Sequence, residues 1–170
     1  RYLTEGLEKE YDMSINSQLK IAIDGPAGSG KSTVAREVAR RLNIVYLDTG
    51  AMYRAVTLKL LRAGCSLSDS TQIEALLEQT SLHMLPDEQI VLDGENVTAE
   101  IRTPSVNAIV SRVAELPVVR RKMVRQQQKI AAASKGIVME GRDIASTVMP
   151  EAPFKFYLDA ALPIRARRRF

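Results

Sequence analysis

Cysteine and histidine are nearly absent from this 170-residue sequence, which contains one of each, Cys65 and His83. A single cysteine excludes an internal disulfide framework and is typical of a reducing compartment. The two residues are also too few, and too far apart in sequence, to suggest a zinc site. We therefore predict a cytoplasmic protein in which Cys65 is a small buried apolar residue and His83 lies on a strand.

Long hydrophobic runs are also lacking, because no apolar segment approaches the ~20 residues that cross a bilayer. The charged segment 1–12 has no apolar core of the kind found in a signal peptide, and we interpret residues 1–18 as an N-terminal extension. Hydrophobic residues make up 45% of the chain and charged residues 26%, which fits one globular unit with a real core. The net charge of +4 suits a small anionic substrate or weak contact with nucleic acid.

The sequence contains one complete motif, at residues 25–32, which has the spacing of a phosphate-binding P-loop. Its glycines allow backbone N–H groups to turn inward around an anion, and a helix that starts at the loop adds the positive end of its dipole. Lys31 is placed to reach the β- and γ-phosphates of a nucleoside triphosphate, and the Ser32 hydroxyl to ligate Mg²⁺. The predicted ATP-binding residues are Gly25, Pro26, Ala27, Gly28, Ser29, Gly30, Lys31, Ser32 and Thr33.

The segments on both sides of the P-loop have the required pattern. Residues 19–24 form an apolar run typical of a buried parallel strand. After the loop, Val34, Val38, Ala39 and Leu42 recur at helical spacing. This context favours nucleotide binding over the alternative of a glycine-rich turn that ends in Lys-Ser by chance.

Strand and helix patterns alternate in the two parts of the chain that flank its middle. This alternation is the signature of an α/β fold with a parallel sheet flanked by helices. We assign these two parts, residues 19–69 and 117–170, to one discontinuous P-loop core. Beyond the first strand, strands are predicted at 44–48, 137–140 and 154–159, and helices at 51–63, 117–134 and from Pro163 onward.

The middle of the chain, residues 70–116, shows a different pattern. Asp93-Gly94 is a strong hairpin-turn signal between short apolar runs. Hairpin pairing does not belong in a strand–helix–strand crossover, so we predict an inserted small α+β lobe. Its predicted elements are a helix at 72–79, strands at 82–85, 90–92 and 95–98, and a helix from Pro104 to Leu116.

Several classes of P-loop protein are excluded by motifs that the sequence lacks. The Asn/Thr-Lys-x-Asp and Asp-x-x-Gly strings of a GTPase do not occur, and neither does the apolar run with a terminal acidic pair found in large ATPase motors. The remaining common user of a P-loop is a small-molecule or nucleotide kinase. Such an enzyme uses basic residues to position the acceptor and to neutralise charge.

Candidate residues for an acceptor stand where predicted strands end. Arg54 follows the strand at 44–48, and Arg142 and Asp143 follow the strand at 137–140. Ligands bind at the carboxyl ends of the strands in an open parallel sheet. This placement favours a binding site over the ordinary alternative, a solvated surface arginine.

Four motifs, in this order along the chain, resemble those of the bacterial cytidylate kinases, a family of P-loop nucleoside monophosphate kinases. They are the P-loop, Asp48-Thr49-Gly50-Ala51-Met52-Tyr53-Arg54, Glu100-Ile101-Arg102-Thr103 and Glu140-Gly141-Arg142-Asp143. The resemblance covers about residues 19–170. It implies transfer of the γ-phosphoryl group of ATP to CMP or dCMP with Mg²⁺ as cofactor, in pyrimidine nucleotide metabolism. It also implies that the lobe at 70–116 binds the monophosphate.

The resemblance assigns roles to individual residues. Arg54 and Arg142 correspond to the arginines that hold the acceptor phosphate, a task that suits bidentate guanidinium contacts. Lys31 and Arg142 are then the catalytic residues. Thr49 stands where many relatives have serine and is expected to contact CMP, and Tyr53 is expected to line the CMP pocket.

Ser111, Arg120 and Asp143 correspond to the family's cytosine-reading residues. Cytosine offers an exocyclic amine donor and acceptors at its ring nitrogen and carbonyl. Asp and Ser oxygens can accept from the amine, and Arg can donate to the acceptors. Uracil reverses this pattern at two positions, which would leave buried polar groups unpaired at about 1–3 kcal/mol each.

Several alternatives stay open at this point. The acceptor could be UMP or AMP, or the chain could be a nucleotide-binding module without turnover that contacts RNA. Glu140 either orients a metal-bound water or is a structural acid. The resemblance implies a monomer that binds ATP and CMP or dCMP. The residues themselves suggest no membrane partner and argue against nucleic acid as a partner. We expect a solvated face, without interleaved aromatic residues, for the basic helix residues Arg120, Arg121, Lys122, Arg125 and Lys129.

The family pattern also continues beyond the last residue of this sequence. It includes a mobile lid that brings further arginines over the phosphates, and then a last strand and helix. These parts are not in this sequence. We expect the cluster from Arg165 to Arg169 to be the approach to the lid.

Overall fold

A parallel sheet of four strands forms the centre of the computed structural model, which describes residues 19–85 and 87–169. The predicted extension at 1–18 lies outside the described residues. The four strands are β1 at Leu19–Asp24, β2 at Val45–Asp48, β6 at Gly136–Gly141 and β7 at Phe154–Tyr157. Their order in the sheet is β2-β6-β1-β7.

Helices cover both faces of this sheet, which confirms the predicted α/β class. Alternate residues of the two central strands point to opposite faces, so Ile21 and Val138 pack on one side and Ala22 and Met139 on the other. The helices of the core are α1 at Lys31–Leu42, α2 at Thr49–Arg62, α5 at Pro117–Ala133 and α6 at Leu162–Arg169. None of the described helices combines the length and the apolar character that a bilayer crossing requires.

A small antiparallel sheet and two helices lie between α2 and α5 in the chain. The strands pair in the order β3-β4-β5, and His83 lies on β3 as predicted. Buried side chains of this segment, such as Ile73 and Leu92, belong to the same apolar cluster as α2 and α5. The division of the chain at residues 70 and 116 therefore stays a prediction. The elements are α3 at Ser70–Glu78, β3 at Leu82–Met84, β4 at Ile90–Leu92, β5 at Glu95–Asn96 and α4 at Pro104–Glu115.

Apart from shifts of one or two residues at the ends of several elements, two segments next to the strand ends differ from the sequence prediction. Helix α2 begins at Thr49, because the Asp48 carboxylate accepts the Ala51 N–H at 3.0 Å and caps the helix two residues earlier than expected. After β6, Ile144–Val148 form a π-helical turn that no sequence pattern predicted. Both segments lie at the carboxyl edge of the parallel sheet.

Candidate active site

The loop at residues 25–30 joins the end of β1 to the start of α1 and forms a tight cradle. Gly28 has a backbone φ of +76°, which residues with a side chain rarely adopt. A Cβ at Gly25 would lie 1.9 Å from the carbonyl oxygen of Leu158, and one at Gly28 would lie 2.8 Å from that of Arg165. The backbone of the cradle thus needs glycine at both positions.

Polar groups of the cradle are buried without being fully paired. Lys31 is 7% exposed, and its Nζ donates to the carbonyl oxygen of Pro26 at 2.8 Å. The buried Ser29 hydroxyl has no hydrogen-bond partner in the described part of the chain. Burial, and then the charge of Arg142, lower the pKa of Lys31. A phosphate would satisfy the hydroxyl and balance the two cations, so the cradle fits a polyphosphate.

Glu140, at the end of β6, stands beside the cradle. It is 4% exposed, and its carboxylate accepts a hydrogen bond from the hydroxyl of Tyr46. Burial raises the pKa of Glu140 and the charge of Asp48 adds to the rise, whereas the Tyr46 hydroxyl and the neighbouring Ser32 side chain oppose it. The structure therefore places Ser32, the predicted Mg²⁺ ligand, next to a buried carboxylate.

Arg142 reaches from the end of β6 to the mouth of the cradle. Its Nη1 donates to the carbonyl oxygen of Gly25 at 2.6 Å. A residue predicted to hold the acceptor phosphate thus touches the first residue of the loop predicted to hold ATP. The predicted placement of both sites at one edge of the sheet is consistent with this contact.

Three of the residues predicted to surround the base lie together. Arg120 of α5 forms an ion pair with Asp143, which follows β6. Tyr53 of α2 is close enough for both charges to act on it, although burial is the main cause of the raised pKa of Tyr53. An acidic acceptor and a cationic donor group therefore stand side by side near an aromatic side chain.

Arg54 lies on α2 and faces α4. Its Nη1 donates to the Asn107 side-chain oxygen and, at 3.4 Å, to the carbonyl oxygen of Ile101. Ser111 is one helical turn beyond Asn107, on the same side of α4, and is exposed. The described residues include no hydrogen bond that joins Ser111 to the Arg120–Asp143 pair, so its role as a base reader stays a prediction.

Thr49 is buried and does not line an open pocket. It is 3% exposed, and its hydroxyl donates to the carbonyl oxygen of Glu140 at 2.6 Å. This bond ties the start of α2 to the end of β6. A contact between Thr49 and CMP stays a prediction, and the structure gives the hydroxyl a structural partner.

Some residues at this edge were not among the sequence-predicted site residues. Asn107 and Tyr46 gave no local signal, because their partners lie 53 and 94 positions away in the chain. Arg168 belongs to the basic cluster noted at the end of the sequence, and its Nη1 donates to the carbonyl oxygen of Gly28 at 3.2 Å. Asp24 precedes the P-loop, and its carboxylate accepts backbone N–H groups of the π-helical turn.

The sequence has clear relatives among known proteins. The profile of the family described as cytidylate kinase matches residues 21–170. A cytidylate kinase of Caldanaerobacter subterraneus subsp. tengcongensis is 51% identical over 156 residues, which are 92% of this chain and 69% of that protein. The cytidylate kinase of Symbiobacterium thermophilum is 51% identical, with 89% of this chain and 69% of the relative covered. That of Pelotomaculum thermopropionicum is 49% identical, with 91% and 70% covered.

Proposed function

Because the chain belongs to the cytidylate kinase family, we propose that it transfers the γ-phosphoryl group of ATP to CMP or dCMP, with ADP and CDP or dCDP as products. The observation that carries the proposal is the 2.6 Å contact between Arg142 and the carbonyl oxygen of Gly25. It supports a donor cradle and an acceptor site that share one edge of the sheet. Transfer between two substrates held in line needs no covalent enzyme intermediate.

On the donor side, the cradle binds the triphosphate of ATP through its backbone N–H groups and Lys31. The residues that would hold Mg²⁺ are Ser32, through its hydroxyl, and Glu140, through a water molecule. Oxygen ligands from a hydroxyl, a water molecule and phosphates are the kind that Mg²⁺ prefers. When bound, the ion neutralises charge on the β- and γ-phosphates.

On the acceptor side, Arg54 and Arg142 hold the phosphate of CMP. Both guanidinium groups contact neutral oxygen acceptors in the structure. A phosphate adds negative charge and can accept two parallel hydrogen bonds from one guanidinium, so it binds these arginines more strongly than a neutral oxygen does. We assign the lobe at 70–116 to monophosphate binding, since its Asn107 contacts Arg54.

The base of CMP lies against Tyr53 and is read by Asp143, Arg120 and Ser111. The carboxylate accepts from the exocyclic amine of cytosine, and the guanidinium donates to the ring nitrogen and carbonyl. The ion pair between Arg120 and Asp143 holds these two groups ready, so little side-chain ordering is needed when the base binds. Uracil would leave the carboxylate facing an oxygen atom.

The experiment that tests this function measures ADP release with MgATP and a panel of acceptors: CMP, dCMP, UMP and AMP. We expect CMP and dCMP to be used at least about tenfold more efficiently than UMP or AMP. Preference for UMP or AMP would assign a different acceptor. ATP binding and salt-sensitive RNA binding without acceptor-dependent ADP release would overturn the enzyme assignment.

The single cysteine supports a location in the cytoplasm. That the chain acts as a monomer is proposed from its resemblance to the family alone. Size-exclusion chromatography with light scattering tests the oligomeric state at catalytic concentrations. A mass of two or more chains would contradict the monomer.

A further inference from the structure

Asp24 ends β1, directly before the P-loop, and its carboxylate is buried with a residue exposure of 6%. One carboxylate oxygen accepts the N–H of Ile144 and the other accepts the N–H of Ala145, each at 2.9 Å. These donors lie 120 and 121 positions further along the chain. Both oxygens are thus occupied by backbone groups of one distant segment.

That segment begins immediately after Arg142 and Asp143. Ile144 starts the π-helical turn, and the first N–H groups of a helical turn have no partner within it. Asp24 supplies those partners. The next residue of the loop, Gly25, accepts a hydrogen bond from Arg142. Residues 24 and 25 therefore hold residues 142–145 through three hydrogen bonds.

We propose that Asp24 is a positioning residue for the acceptor nucleotide, which acts by fixing where Arg142 and Asp143 stand. The inference rests on the proposed function and deepens it, since it names what couples the ATP cradle to the CMP residues. A carboxylate is required because it is an acceptor at both oxygens. An amide at this position would accept one of the two backbone N–H groups through its oxygen but turn its NH₂ group toward the other. That NH₂ group and the N–H that it faces would then both lack a hydrogen-bond acceptor in a buried place.

The test is Asp24→Asn in the full chain, assayed for the KM of CMP, the KM of ATP and the ratio of CMP to UMP efficiency. We expect the KM of CMP to rise about tenfold and the CMP/UMP ratio to fall about tenfold, the effect of one or two unpaired buried groups. We expect the KM of ATP to stay within about twofold, because the loop keeps its glycines and Lys31. Hydrogen exchange at the amides of Ile144 and Ala145 should become faster.

The matched control is Asp69→Asn. Asp69 also accepts a backbone N–H, that of Gln72 at 2.9 Å, but it caps α3 away from the P-loop. This variant should leave both KM values and the ratio unchanged. The control shows whether losing any carboxylate that accepts a backbone N–H changes the KM values, or only the loss of Asp24, which holds residues 142–145.

Each outcome decides the proposal. An unchanged KM for CMP and an unchanged CMP/UMP ratio in Asp24→Asn would overturn it, as would an equal rise in the KM of ATP. If Asp24→Asn does not fold, the same readouts are taken on Asp24→Ser, whose hydroxyl accepts one N–H without adding an amide donor. Failure of both variants to fold would assign Asp24 a purely structural role. Wild-type protein that releases no ADP with CMP would refute the proposed function instead.

Discussion

The hydroxyl of Tyr46 on β2 donates a hydrogen bond to the carboxylate of Glu140 on β6. The two strands are parallel neighbours, and Tyr46 pairs in register with Val138, two residues before the glutamate. The guanidinium of Arg36 lies 5.4 Å from the centre of the Tyr46 ring and forms an ion pair with Glu88 of the small lobe. A continuous set of contacts thus links this lobe to the carboxylate beside Ser32.

The Tyr46–Glu140 bond leads to a prediction about pH dependence. Burial already raises the pKa of Glu140, and the Tyr46 hydroxyl opposes that rise because it favours the ionised carboxylate. In Tyr46→Phe the pKa of Glu140 should rise further. Since the proposed role needs the ionised form, activity falls as pH drops through that pKa, and the acid limb of the kcat profile should move to higher pH.

The measurement is kcat against pH at saturating MgATP and CMP. Tyr157→Phe is the matched control, because Tyr157 on β7 is 70% exposed. An acid limb that is the same in Tyr46→Phe and wild type would contradict a catalytic requirement for ionised Glu140. The effect of Glu140 on stability has the opposite pH dependence to its effect on activity. A carboxyl whose pKa is raised in the folded state contributes most to stability below its ordinary pKa of 4.5, and this contribution is lost as the pH rises through the raised pKa.

Lys31→Ala tests the cradle directly. The ammonium is the buried cation of the loop, so we expect kcat to fall by about 10²–10³-fold, as when one preorganised donor to a transition state is removed. Burial and Arg142 lower the pKa of Lys31, which means that the charged form is disfavoured in the folded protein. The variant should therefore unfold at the same or a higher temperature.

The control for this variant is Lys122→Ala on α5, where the lysine pairs with Glu78 on the surface. It should leave kcat unchanged. A Lys31→Ala enzyme that retained turnover within tenfold of wild type would remove the lysine from the catalytic assignment. A large fall in thermal stability would show that Lys31 supports the loop rather than the substrate.

Asp143→Ala tests how the base is read. The variant removes the proposed acceptor for the cytosine amine and frees Arg120 from its ion pair. We expect the CMP/UMP efficiency ratio to fall about tenfold, the cost of one unpaired buried group. Because the two residues touch, Arg120→Ala and the double variant should show strongly non-additive effects on the ratio.

Glu74→Ala, which removes an exposed carboxylate on α3, is the control for the Asp143 variant. It should not change the ratio. CMP/UMP selectivity that survives Asp143→Ala would take the base-reading role away from Asp143.

Thr49 offers a test between structural and substrate-binding roles. Thr49→Val keeps the shape but removes the hydroxyl that donates to Glu140, so we expect the free energy of unfolding to fall by about 1–3 kcal/mol. Thr49→Ser keeps the donor and should lose less. Urea denaturation measures the free energy of unfolding and so tests the structural role. The KM of CMP tests the substrate-binding role. A stable Thr49→Val protein with a raised KM for CMP would mean that the hydroxyl acts on the substrate.

The fold was largely predictable where local patterns carry the information. The apolar run at 19–24, the helical spacing after Lys31 and the Asp93-Gly94 turn each correspond to an observed element. The position of β6 between β1 and β2 was not predictable in this way, because its partners are about a hundred residues distant along the chain. Sheet order depends on tertiary packing that no short window contains.

In the candidate site, too, local patterns predicted some residues, whereas other features depend on tertiary packing. P-loop spacing predicted the position of Lys31 at the start of a helix, and the strand predicted at 137–140 put Arg142 and Asp143 just beyond its end. The π-helical turn was missed because its start is fixed by Asp24, a residue remote in sequence. Thr49 was interpreted from its motif alone, whereas its burial and its bond to Glu140 arise only when α2 and β6 meet.

The crowding at Gly28 gives a final prediction with an internal control. Gly28 and Gly94 have similar backbone φ values, +76° and +86°, so an alanine at either position pays the left-handed penalty of about 1–2 kcal/mol. They differ in surroundings: the new Cβ would lie 2.8 Å from the Arg165 carbonyl oxygen at Gly28, and nothing lies within 4 Å at Gly94. Gly28→Ala should therefore displace α6 or the loop and raise the KM of ATP about tenfold or more, while Gly94→Ala lowers stability alone. Equal KM values for ATP in the two variants would mean that the loop geometry at Gly28 does not set ATP binding.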